Sequence, residues 1–150
     1  MIRIIRTLFY IFLIPIITFI LVSCSSGTQK DKNNDITYNK LISELKNNGY
    51  KVDEIEVTES EIKHSFFSVP PYFVDVNGER ISVYEFSDIE TTNSQAETIS
   101  EDGCKIGNSF IEWVDKPHFY KKGKLIVGYA GSDNQLLKSL KKILGESITK

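Results

Sequence analysis

Histidine, cysteine and tryptophan are scarce in this 150-residue chain, with two, two and one copies respectively. The two histidines, His64 and His118, lie far apart, and nothing in the sequence pairs them. Metal sites are built from three or four ligands at compatible spacing, so no metal ion is expected. The acidic run DEIEVTESE holds Asp53, Glu54, Glu56, Glu59 and Glu61 but lacks the Asp-x-Asp-x-Asp-Gly pattern of a calcium loop. The Walker loop, G-x-S-x-G and HExxH are missing as well. No motif names a reaction, and none implies a cofactor. A strong charge of one sign is also lacking: 18 basic residues face 20 acidic ones, a net of −2. Arg3 and Arg6 are the only charges in residues 1–23, so the remainder carries 16 basic against 20 acidic residues, or −4. Phosphate binding needs a basic surface, which argues against nucleic acid as the main partner.

What the chain does have is an apolar N-terminus. In MIRIIRTLFYIFLIPIITFILVSC, Arg3 and Arg6 precede a stretch from Leu8 to Val22 broken only by Pro15 and Thr18. Its length falls short of the roughly 20 residues that span a bilayer. A positive region, a short apolar helix and a small residue, Ser23, ahead of a cut form the layout of a secretory signal. LVSC, from Leu21 to Cys24, resembles the lipobox of bacterial lipoproteins. The resemblance implies diacylglyceryl transfer to the Cys24 thiol and cleavage between Ser23 and Cys24. The competing reading is an uncleaved anchor helix in which Cys24 is incidental. Either reading puts the domain at the cell membrane on its extracytoplasmic side. Once Cys24 is lipidated, Cys104 is alone, no internal disulfide forms, and Cys104 reads as a small buried hydrophobe. Residues 25–36, SSGTQKDKNNDI, are too polar to order themselves and make a flexible tether of about 20 Å root-mean-square span. The expected organisation is a signal peptide over 1–23, lipidated Cys24 and tether over 24–36, and one domain over 37–150.

Within the domain, Tyr38, Leu41, Ile42 and Leu45 form the stripe of an amphipathic helix, with Thr37 or Asp35 as cap and Gly49 as its end. KVDEIEV reads as a charged edge strand. Asn77-Gly78 predicts a type I′ hairpin joining strands over 72–76 and 80–86. Ser87 and Glu90 have the form of a capping box opening a weak helix with Ile89, Ala96 and Ile99 on its apolar side. Strands are expected over 105–114 and over 118–130, the second divided at Lys121–Lys124. A final helix follows Ser132 or Asp133, with Leu136, Leu137, Leu140, Ile143 and Leu144 on one face. The order α-β-β-β-α-β-β-α has no βαβ regularity. It predicts an α+β domain: an antiparallel sheet of about five strands with about three helices packed on one face.

Two segments are candidates for a ligand site. FFSVPPYF gathers Phe66, Phe67, Tyr72 and Phe73 around Pro70-Pro71, either as an exposed platform for a peptide or glycan or as core filling. WVDKPHFYKKGK holds Trp113, His118, Phe119, Tyr120, Lys121 and Lys122, either as a binding surface or as an ordinary hairpin. His118 would be the base if the domain were a small envelope hydrolase or metal-dependent enzyme. From Ile111 to Asp133, IEWVDKPHFYKKGKLIVGYAGSD is similar to the tail of a group of small bacterial lipoproteins of unknown function. In that group a Trp, a PHFYKKG-type hairpin and an apolar strand precede a final helix. The likeness extends over most of residues 38–146, with FFSVP in the same order, and implies a whole one-domain module with no activity assigned. Gly128 and Ala130 are smaller than the residues usual in that strand. The resulting expectation is a lipid-anchored, non-enzymatic module that binds a protein, peptide or envelope component. Intact mass of the protein from bacterial membranes should give a chain starting at Cys24 with added lipid. Cys24→Ala should lose that species, and an unmodified full-length chain in both would leave the anchor-helix reading.

Overall fold

Tyr38, Leu41, Ile42 and Leu45 are all buried on one side of helix α1 (Tyr38–Asn47). The Thr37 hydroxyl caps this helix, accepting from the Lys40 N–H at 3.3 Å. A computed structural model describes residues 36–150; the expected signal peptide, Cys24 and the tether up to residue 35 lie outside the described residues. Ile36, placed in the tether on composition, is only 4% exposed and packs in the core.

Along the chain follow β1 (Val52–Ile55), α2 (Glu59–Lys63), β2 (Tyr72–Val76), β3 (Glu79–Glu85) and α3 (Ile89–Ala96). The ribbon β4 (Lys105–Ile106) and β5 (Ser109–Phe110) comes next, then β6 (Pro117–Lys122), β7 (Leu125–Ala130) and α4 (Asn134–Leu144). Five strands make one antiparallel sheet in the order β1-β2-β3-β7-β6, so the fold is α+β as the sequence predicts. The β2–β3 turn holds Asn77 at φ 56° and Gly78 at φ 93°, the two left-handed residues that a type I′ hairpin needs.

The helices do not share one face. Strand alternation sends Val74, Ile81, Val83, Leu125 and Val127 to the first face, where α1 and α4 cover them. It sends Tyr84, Phe119 and Ile126 to the second, where they meet Phe67, Phe86, Ile106 and α3's Ala96. The reason lies in β7: LIVGYA is buried at every position but the last, and a strand apolar on both sides needs cover on both sides.

Other boundaries shift for identifiable reasons. Helix α3 is capped by Asp88, not Ser87: the Asp88 carboxylate accepts from the Thr91 N–H at 2.7 Å, while the Ser87 hydroxyl donates to it. A carboxylate is the better acceptor at a positive helix end. The shift leaves Ile89 exposed and buries Thr92. Residues 105–114 form no long strand, because Gly107 turns the chain at φ 57° after two residues. Of KVDEIEV and the acidic run that overlaps it, only Val52–Ile55 is a strand. Thr58 and Glu61 form a capping box that starts α2, a pairing readable from Thr-x-x-Glu. Cys104 is exposed rather than buried.

The outer edge of β6 is strapped by residues 147–149. The Ile148 N–H donates to the Phe119 carbonyl at 2.7 Å. The buried Thr149 hydroxyl accepts from the Phe119 N–H and donates to the Pro117 carbonyl, both at 3.1 Å. Thr149→Ala should therefore lower unfolding free energy by about 1–3 kcal/mol, since it strands a buried donor. Thr149→Ser, which keeps the hydroxyl, should lose less in the same urea titration; equal losses would assign the effect to the methyl group.

Candidate aromatic cleft

One cross-strand row builds the candidate site. Phe73 on β2 pairs with Ser82 on β3, Ser82 with Gly128 on β7, and Gly128 with Phe119 on β6. Two rings thus flank two positions with little or no side chain. The Phe119 ring leans into the space beside Gly128: a Cβ there would lie 2.9 Å from Phe119 Cε1 and 2.7 Å from Ser82 Oγ. This packing explains the small residue at 128. α3 and the second core cover one end of this face; at the other end the row opens into a cleft of about 410 Å3. That volume lies within the range of small-ligand sites.

Loop residues supply the walls. Trp113 stands edge-on to both Phe66 and Phe119, with ring centroids 6.1 and 5.9 Å away. Its indole N–H donates to the Gly103 carbonyl at 2.9 Å, which fixes the ring. Trp113 and Pro117 also line a second, more open hollow that includes Phe110, 83% exposed. Exposed aromatic surface of this kind, next to a preformed cleft, marks interaction sites.

A charged pair lies beside the rings. Arg80 Nη2 donates to Glu61 Oε1 at 2.8 Å, and the Arg80 guanidinium carbon lies 3.9 Å from the Phe73 ring centroid. Glu61 Oε2 accepts from the Thr58 N–H at 2.9 Å and the Thr58 hydroxyl at 2.8 Å. The Thr58 backbone N–H first, then Arg80 and the Thr58 hydroxyl, hold the Glu61 carboxyl down at about 2, so it stays ionised at neutral pH. The capping box thereby fixes the carboxylate that orients Arg80.

The candidate residues separate in space. Phe66 and Trp113 come together as cleft wall. Phe67 is buried in the second core against Tyr84 and Phe86. Tyr72 stacks on Tyr38, ring centroids 4.4 Å apart, and Tyr120 is buried in the first core. The Lys121 ammonium is held by Asn93 and the Lys122 ammonium by the Ile143 carbonyl. Arg80 and Ser82 carry no signal in the sequence, whereas Phe73 in FFSVPPYF, Glu61 in the acidic run and the small residue at 128 stand out there without being linked to one another. The capping box gave a signal for Glu61; only strand register could have gathered the others.

His118 stacks on Tyr129 at 6.2 Å between ring centroids. Among the described residues no carboxylate or thiol is hydrogen-bonded to it, and no group of three metal-ligating side chains is found. No helix of the described residues is long and apolar enough to cross a membrane. No family model, curated protein or solved structure matches the chain.

Burial first, then the Lys116 charge, holds the His118 ring below its ordinary value, outweighing the Gly131 backbone and Asp115. The unfolded chain therefore binds this proton more readily, and its contribution to stability is full above about pH 6.5 and lost as pH falls below it through the depressed folded value. Wild-type unfolding midpoints should hold above about pH 6.5 and drop as pH falls from there toward about 5.5, above the carboxylate range. His118→Gln should show a smaller drop; an equal one would remove His118 as the cause.

Proposed function

We propose that this chain is a lipid-anchored, extracytoplasmic lipoprotein whose domain is a non-enzymatic binding module. The address rests on LVSC at the end of the Arg-flanked apolar segment, with Cys24 as the attachment point. The binding half rests on one observation: a preformed cleft walled by Phe66, Trp113 and Phe119 with an ion pair beside it. Apolar walls with a few fixed polar groups are the general form of a recognition site. The cleft is favoured over the Lys121–Lys124 hairpin because the ammonium groups of Lys121 and Lys122 already have partners within the domain.

The partner class is a protein, peptide or envelope component that meets the domain at the membrane surface. Catalysis by His118 with a carboxylate finds no support in the geometry, since the ring stacks on Tyr129 and no acid is hydrogen-bonded to it among the described residues. A photo-crosslinking residue at 66 in intact cells should give a discrete adduct that Trp113→Ala removes. The same residue at Ser43, exposed on α1 across the sheet, should give none. Equal adducts at both positions, or none at either, would remove the cleft as the binding surface.

A further inference from the structure

The charged pair constrains what the cleft accepts. Arg80 and Glu61 are 51% and 33% exposed, so both remain in reach of a ligand. Their charges cancel. An anion drawn to Arg80 meets the Glu61 carboxylate, which the Thr58 cap keeps ionised. A wholly apolar occupant, such as an acyl chain, would strip water from the pair without replacing its hydrogen bonds, which is costly. The pair also offers both polarities side by side. Arg80 spends one of its five N–H donors on Glu61, and Glu61 Oε1 keeps a lone pair free. The guanidinium covers one face of Phe73, and the Phe66 and Trp113 rings supply apolar surface next to these groups.

We infer that the cleft binds a neutral glycan. A pyranose has apolar C–H faces for aromatic rings and adjacent hydroxyls that both donate and accept. One hydroxyl would accept from Arg80 while its neighbour donates to Glu61, and neither brings a charge. The hollow beyond Trp113, which shares Trp113 and Pro117 with the cleft as lining, gives room for a second sugar ring. This inference rests on the binding role proposed for the cleft.

Trp113 is the single tryptophan of the chain, so its emission reports on this wall alone. The full-length protein, in zwitterionic micelles without sugar headgroups, would be titrated with β-1,4-linked tetrasaccharides of N-acetylglucosamine and of glucose. An acetylated hexapeptide ending in a Phe carboxylate serves as the peptide probe. The expected result is a saturable Trp113 shift with at least one oligosaccharide. Arg80→Lys, which keeps the charge but loses the planar fork, should weaken it about tenfold with an unchanged circular dichroism spectrum. Tyr72→Ala, on the other face, should leave it intact. A shift with the peptide alone would overturn the glycan inference and keep the binding role. No shift with any probe would also overturn it, and the crosslink from position 66 would then decide the binding role separately.

Discussion

The packing of Phe119 over Gly128 is the constraint on which the second face depends. β7 runs inside the sheet with apolar residues on both sides, so the face turned away from α1 and α4 needs cover. One position in that strand carries no side chain, and the neighbouring ring takes its space. Phe119 then supports Trp113, and Trp113 supports Phe66. The walls of the cleft are therefore a chain of aromatic contacts that begins in the sheet and ends in loops. Each edge-to-face pair is worth about 0.5–1.5 kcal/mol beyond its buried area, which keeps the walls in place without a ligand.

Local signals in the sequence carried much of the fold. Asn77-Gly78, the Leu136–Leu140–Leu144 stripe and the Tyr38–Leu45 stripe act through neighbours a few residues away, and all three elements stand where their patterns put them. The division of helices between two faces was not legible in the same way. It follows from β7 having a fully apolar pattern, which period-2 reasoning treats as ambiguous. The segment 105–114 has strand composition, yet Gly107 in the left-handed region and the Trp113 hydrogen bond to Gly103 bend it across the sheet.

The site was legible in its aromatic half only. Phe66 and Trp113 stand out in composition, whereas Arg80 and Ser82 are unremarkable residues of a hairpin strand. They become part of a site because β3 lies between β2 and β7 in a particular register, information that no single segment contains. Glu61 is the intermediate case. Its capping partner Thr58 is three residues away, but its role beside Arg80 depends on a contact 19 residues distant. Phe67, Tyr72 and Tyr120 make the converse point: aromatic residues in strand-rich segments are most often spent on packing.

The strap formed by residues 147–149 has a consequence in time rather than in space. β6 is an edge strand until Ile148 and Thr149 bond to it, and an edge strand is a template for any other chain that meets it. A chain that emerges N-terminus first, from a ribosome or through a membrane, exposes that edge for as long as the helix α4 and the residues after it are still to follow. The domain can collapse around α1 and the β2–β3 hairpin early, but it protects itself against pairing with its neighbours only when residue 149 has arrived. Partly emerged copies are accordingly the form in which this protein is most open to association with itself.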